Sequence, residues 1–420
     1  MEQLLHYIWK HKIFPLNTLY TTGGLSVEVI DAGLHNSDSG PDFFNAKLKI
    51  DGTVWVGNVE IHTLSSDWYR HGHDRDKVYD SVILHVVSTV DCEVLRSNGE
   101  HISQIQLTCP EKVKSHYDEL CCADKYPPCH SIISSLSPFM VHSWLTALQV
   151  ERFGQKAKQI EERLKRCNGY WTDAFFITIA RNFGFGLNGD AFEYWAGLLS
   201  FGAIKKYRDD LFQVEAFFFG QAGLLEKEDG DEYYIRLRKE FLYMQHVFDL
   251  PSMDATRWRF LRLRPDNFPY IRIAQLAYLY KQGEGLFSKL MEIKTLKEVR
   301  ELLSIHTSAY WEDHYIFGRL SVHQEKTVGV NSLNLIIINT VIPFLYAYGA
   351  HKSQEELCNR AVSFLEELKV ENNYITRKWN KAGLSVATAG DSQALIQLQK
   401  EYCDKKKCLF CRFGYEFLRR

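Results

Sequence analysis

The chain has 420 residues, more than one compact core usually organises and enough for two or three domains. Hydrophobic residues make up 45% and aromatics 14%, so sizeable cores and an ordered chain are expected. The formal net charge of −2 excludes an overall polycation, while 50 Lys and Arg leave room for a local basic groove.

The first residues, MEQLLHYIWKHKIF, are helical in spacing over LLHYIWKHKIF and unlike a secretory signal. No apolar run approaches the roughly 20 residues that span a bilayer, so a soluble cytoplasmic protein without a membrane partner is expected. Next come short alternating runs cut by turn signals. LSVEVIDAG (25–33) reads as a strand, and DFFNAKLKI (42–50) and TVWVGNVEIH (53–62) flank Asp51-Gly52, a two-residue hairpin signal. YDSVILHVV (79–87) suits a strand buried on both faces, and EVLRSNGEHISQIQL (93–107) reads as a hairpin turning at Asn98-Gly99. Helix, strands, a connecting segment and a buried strand make a small α/β or α+β domain over residues 1–110. Residues 111–135 mix charge, proline and cysteine and read as a linker. From about 135 the period becomes helical, with Val150, Phe153, Ala157, Ile160 and Leu164 on one face. Further helices are expected at 172–182, 190–199, 209–226, 231–247, 271–282, 331–349, 353–367 and 390–402. Residues 136–420 therefore form a larger all-α domain.

The candidate chemistry lies at the open end of the 42–62 hairpin. Residues two apart on a strand share a face, so Glu60 and His62 project together while Trp55, Val59 and Ile61 can pack inward. With Asp42 on the neighbouring strand, two carboxylates can hold a divalent cation, and substrate phosphate with bound water suits magnesium or manganese. A regular two-residue turn pairs Ile50 with Thr53, which sets Asp42 opposite Ile61 and turns it away from Glu60. Convergence therefore requires a bulge, a three-residue turn, or Asp42 just before the strand. His35 and Asn36 precede this element, and Ser66-Asp67-Trp68, His71, His73 and His85 follow it. Asn36 or His73 can assist the chemistry, although exposed acids at a strand end also simply solvate it. His62, His71 and His73 could instead hold zinc for hydrolysis of a non-nucleotide substrate.

Pro41-Asp42 with Glu60-Ile61-His62 resembles the PD-(D/E)XK nuclease superfamily, with His in place of Lys, over roughly residues 1–110. The resemblance implies a restriction-endonuclease-like mixed sheet with flanking helices. It also implies magnesium on Asp42 and Glu60, His62 as the water-handling group, and hydrolysis of phosphodiester bonds in DNA or RNA. The same fold could also serve as a catalytically degenerate module that binds nucleic acid or protein.

Two other regions carry candidate sites. Cys403, Cys408 and Cys411 form a C-x4-C-x2-C run, and Cys129-His130 or Cys121-Cys122 could complete a zinc or iron–sulfur site. All ten cysteines are otherwise expected to be reduced thiols. Some PD-(D/E)XK nucleases of the Cas4 and AddB kind hold such a cluster, and the likeness to them is one of layout. Arg262, Arg264 and Arg272, in RLRPDNFPYIRIAQLA, could contact phosphates of a nucleic-acid partner or brace two helices. With GPDF, VEIH and the cysteine run, this segment and VEAFFFGQAGLL resemble an uncharacterised bacterial family of unknown function over the whole chain.

Overall fold

A computed structural model describes residues 2–14, 19–36, 38–283 and 285–420. Helix α1 (Glu2–Lys10) buries Leu4, Leu5, Ile8 and Trp9, and Trp9 donates its indole N–H to the carbonyl of Ala32 at 3.1 Å. Seven strands follow: β1 (Leu19–Tyr20), β2 (Ser26–Asp31), β3 (Leu34–His35), β4 (Phe43–Ile50), β5 (Thr53–Leu64), β6 (Val82–Thr89) and β7 (Gln104–Gln106). They form one mixed sheet in the order β1-β2-β4-β5-β6-β7, with β3 paired on β4. The β4–β5 hairpin is antiparallel, whereas β5, β6 and β7 run parallel. Parallel neighbours need a crossover, which here is the segment 65–81 carrying the short helix α2 (Asp67–Arg70).

The hairpin turns at Asp51 (φ 47°) and Gly52 (φ 80°), the left-handed pair that a tight two-residue turn needs. Ile50 pairs with Thr53 and the ladder runs regularly to Ala46 and Gly57. There the register slips, and Phe43 pairs with Val59. The bulge is centred on Asn45, whose φ is 54° and whose backbone N–H donates to the Asn58 side chain at 3.1 Å. Gly33 makes the bulge possible from the other side, since a Cβ there would lie 2.7 Å from the Phe44 carbonyl oxygen.

Trp55 does not pack inward, being 49% exposed. At about 3.3 Å per residue the twelve residues of β5 outrun the nine-residue α1 that packs on it, at about 1.5 Å per residue. The outer end of β5 is therefore uncovered, while Val59 and Ile61 are fully buried. The second expected hairpin is reduced to a turn at Asn98-Gly99 closed by one bridge, Leu95 to His101, before β7 leaves to join β6.

Contacts divide the chain into two units. The first comprises Met1–Val141, Arg377–Leu384 and Leu398–Arg420, and the second His142–Thr376 and Ser385–Gln397. Residues 111–135 are not a free linker in this arrangement. They form helix α3 (Glu111–Cys122) and helix α4 (His130–Ile133) of the first unit, and the C-terminal cysteine run belongs to the same unit. The long helix α5 (Pro138–Arg166) leads into the second unit, which is largely helical. Its core includes Phe217, Phe218 and Phe219, all fully buried, at roughly 2 kcal/mol or more of transfer free energy per side chain. The helical stretch Val330–His351 has the length and composition to cross a membrane, contrary to the sequence reading. In this structure 67% of its apolar window is buried, including Ile336, Ile337, Val341 and Phe344.

Candidate active site

The bulge decides where Asp42 points. With Phe43 opposite Val59, Asp42 falls opposite Glu60, and the two residues exchange bonds across the strands. The Asp42 backbone N–H donates to Glu60 Oε2 at 3.1 Å, and the Ile61 N–H donates to Asp42 Oδ2 at 2.9 Å. Among the described residues, no backbone N–H donates to Asp42 Oδ1 or Glu60 Oε1. Asn36 serves this geometry from behind. Its amide donates to the carbonyls of Asp38 (3.1 Å) and Pro41 (3.1 Å), and its N–H donates to the Asp42 carbonyl at 2.7 Å. Asn36 thus braces the loop that delivers Asp42 and has no side-chain contact with either acid.

The crossover 65–81 brings the histidines in. Gly72, at φ 78°, turns the chain between His71 and His73. Glu60 Oε1 lies 3.2 Å from His73 Nε2 and 3.5 Å from His62 Nε2. His62 Nε2 in turn lies 3.1 Å from His71 Nδ1. One ligand atom each from His62, His71 and His73 fall within 4.8 Å of one another. His62 and His73 are buried and His71 is exposed, so the cluster opens to solvent through His71. Behind it, His62 Nδ1 meets His85 Nε2 at 2.9 Å, and His85 is fully buried on β6. His73 stacks on Tyr79 at 3.7 Å, and the Trp68 edge closes on both His73 and His85 at 5.3 Å. From α1, His6 Nε2 reaches to 3.3 Å from Asp42 Oδ2.

These surroundings set the charges. Burial above all raises Glu60, and Asp42 adds to it, while His73 opposes. Burial first, then the imidazoles of His85, His73 and His71, push His62 down to about 2. His85 falls to about 4, chiefly through burial. Burial pulls His6 down as well, but the hydrogen bond to Asp42 and its charge outweigh this and leave His6 raised. His62 is therefore a neutral imidazole and cannot supply the fixed positive charge of a lysine. His6 can. Its residue type gave no signal in the sequence, because it stands 36 positions before Asp42 on a helix whose spacing reports only packing.

The donor set is two carboxylates and three imidazoles, with the Nε2 atoms of His62 and His73 turned toward Glu60. Imidazole-rich sets suit zinc and other transition ions, whereas magnesium prefers oxygen. The carboxylate pair alone fits magnesium. The full cluster fits zinc or manganese better. His85 would then fix the tautomer and orientation of His62 from behind, as outer partners of ligating histidines commonly do.

These residues all fall within one family match, over residues 2–374. The chain belongs to DUF2851. That family is described as a protein of unknown function, and Cys403, Cys408 and Cys411 lie outside the matched segment. Neither the curated proteins nor the solved structures give a match to the chain.

The remaining sequence candidates divide. Arg272 is 4% exposed, donates to Gln275 and Asn267, and sits over the Phe185 ring at 4.6 Å. Burial lowers it to about 10. It braces the helical unit and does not present a cation for phosphate, whereas Arg262 and Arg264 are exposed. Cys129, Cys403, Cys408 and Cys411 line one small cavity.

Proposed function

We propose that this DUF2851 chain is a metal-dependent hydrolase of phosphodiester bonds in nucleic acid, related in its site to the PD-(D/E)XK nucleases. One observation carries the reading: the bulge at Asn45 turns Asp42 onto Glu60, beside a histidine cluster able to hold an ion. A regular ladder would have separated the two acids. The parallel β5–β6 pair joined through 65–81 supports the same likeness.

The site differs from that superfamily in its ion and in its cation. Glu60, His62, His71 and His73 would hold zinc or manganese, with Asp42 as the second carboxylate. A bound ion supplies Lewis-acid stabilisation of phosphate charge and lowers the pKa of a coordinated water. His62 Nε2 would offer its lone pair to such an ion, with the Nδ1–H donating a hydrogen bond to His85 Nε2. His6, whose protonation the pairing with Asp42 favours in the ion-free site, is the candidate for the positive charge that the superfamily draws from lysine. Trp68 and Tyr79 wall His73 and keep water from its far side. Arg262 and Arg264 remain candidates for touching the nucleic-acid backbone.

A second reading is a zinc hydrolase with a non-nucleotide substrate, favoured by the preponderance of imidazole over carboxylate. The test is cleavage of single- and double-stranded DNA and RNA with magnesium, manganese or zinc, by the whole chain and by Glu60→Ala. Cleavage supported by manganese or zinc and lost in Glu60→Ala is expected. Equal cleavage by both proteins overturns the proposal. Stoichiometric zinc without cleavage of any nucleic acid selects the second reading, and nucleic-acid binding without either marks a degenerate binding module.

A further inference from the structure

The four cysteines come from distant parts of the sequence. Cys129 caps the start of α4, Cys403 ends a helical segment, Cys408 opens a 3₁₀ turn, and Cys411 caps the C-terminal helix Arg412–Arg419. They line one cavity together with Pro128, Trp379, Tyr402 and Gly414. Each thiol lies within electrostatic reach of its neighbours in the group. The cavity measures about 10 Å³, room for one water-sized body. Cys129 and Cys411 are 6% and 7% exposed, and Trp379 is fully buried behind them.

The backbone is shaped for this convergence. A Cβ on Gly414 would lie 2.1 Å from the Cys408 carbonyl oxygen, so only glycine lets the C-terminal helix fold back onto the turn. The Cys411 N–H donates to the Cys408 carbonyl at 3.2 Å, closing that turn, and Lys406 donates to the Cys121 carbonyl at 3.3 Å. An ordinary apolar core would place Leu or Val here. Four soft, ionisable sulfurs around one cavity are the donor set of a thiophilic metal.

We propose that Cys129, Cys403, Cys408 and Cys411 hold a zinc ion that staples the C-terminal segment onto α4. Four thiols release their protons as the thiolates bind the metal, with no change of oxidation state required for zinc. The centre also has a consequence for the sheet end. Phe410, between two of the ligands, lies 6.1 Å from the His35 ring, and His35 packs on His6 at 5.7 Å. Tyr415 packs on His11 at 4.8 Å and on Tyr7 at 6.3 Å. The staple therefore holds α1, and His6 with it, against Asp42. It stands independently of whether the histidine site hydrolyses anything.

The experiment is metal and sulfide analysis of the whole chain, purified with and without oxygen and after reconstitution with zinc or with iron and sulfide. About one zinc per chain is expected, and iron with matching sulfide in place of zinc overturns the proposal. Cys129→Ala and Cys411→Ala should each lose at least 90% of that metal, whereas Cys358→Ala should keep it. If the variants fail to fold, thiol titration of the native wild-type chain decides: four of the ten cysteines should become reactive only when a chelator is added. Metal-free protein under every preparation overturns the proposal. So does metal retained by both variants, or a thiol count that the chelator does not change.

Discussion

Among the described residues two glutamates are buried, and their surroundings differ in kind. Glu60, 4% exposed, faces the ring nitrogens of His62 and His73 and the backbone of Asp42. Glu215, fully buried on the helix Leu211–Gln221 of the other unit, accepts from the Tyr233 hydroxyl, with Ser308 beside that hydroxyl at 3.4 Å. Burial raises both, Glu215 to about 7. A hydroxyl donor can satisfy a carboxyl whether it is charged or not, and adds no strong ligand for a cation. A neutral imidazole such as His62 offers a lone pair, and a second carboxylate beside it adds charge that it cannot balance. A perturbed carboxyl therefore marks a site only when its neighbours are themselves ligands.

The same substitution at the two glutamates should give opposite results. Glu60→Gln should weaken zinc or manganese binding by about 100-fold or more, since even residues behind a ligand commonly account for 10- to 100-fold. Isothermal titration with each ion reads this directly. Glu215→Gln should leave metal affinity unchanged and alter pH dependence instead. A folded carboxyl raised to about 7 holds its proton more tightly than the unfolded chain does. Stability therefore falls as pH rises from the ordinary 4.5 to about 7, by up to about 1.4 kcal/mol per pH unit, and is level above that. Denaturant unfolding across this range should show the slope in wild type and lose it in Glu215→Gln. Equal metal loss in both variants would erase the distinction.

Much of this contrast was legible in the residues. Asp51-Gly52 announced the hairpin, and counting back from it showed that Asp42 needed an irregularity to meet Glu60. What the sequence lacked was the irregularity's address. Asn45 reads as an ordinary strand residue, and its left-handed φ depends on Asn58 and on Gly33, both distant in sequence. His71 and His73 were visible as a cluster, but their convergence on Glu60 depends on the crossover's path. Cys129 could be paired with the terminal cysteines only as one choice among several, because loop closure over 273 intervening positions leaves no local pattern. Arg272 stayed open between two readings, since a cation in an apolar helix looks the same whether it faces phosphate or a buried amide. The helix spans were the most readable part, because the 3.6-residue period and the core that enforces it are local statements.

A milder substitution sharpens the comparison by leaving every proposed ligand in place. His85→Phe keeps an aromatic ring of similar size beside Trp68 but removes the partner of His62 Nδ1. Metal affinity should fall by about 10-fold, toward the lower end of what outer partners contribute, because His62 then loses its fixed tautomer. The unfolding midpoint should also fall, since His62 Nδ1 is left buried without its partner at a cost of about 1–3 kcal/mol. Unchanged affinity would make His85 a core residue and nothing more.

The smallest effect tests whether the sheet end carries its own cation. His6 is raised by Asp42 although burial opposes it, so the folded state favours the protonated ring. Its contribution to stability is fully present below the ordinary value of about 6.5 and is lost as pH rises through the raised folded value. In chelator-treated protein, the wild type should lose ~1 kcal/mol or less over that window relative to Asp42→Asn, as a partly buried ion pair would. Proton NMR of His6 should show a titration above 6.5 in wild type and a lower one in Asp42→Asn. Adding zinc or manganese should pull that titration down, because an ion on Asp42 repels a protonated ring 3.3 Å away. A His6 titration indifferent to both the variant and the ion would leave the site without the positive charge that lysine provides in the PD-(D/E)XK nucleases. The histidine cluster would then act as a metal site alone, as Glu60 and its three imidazoles already allow.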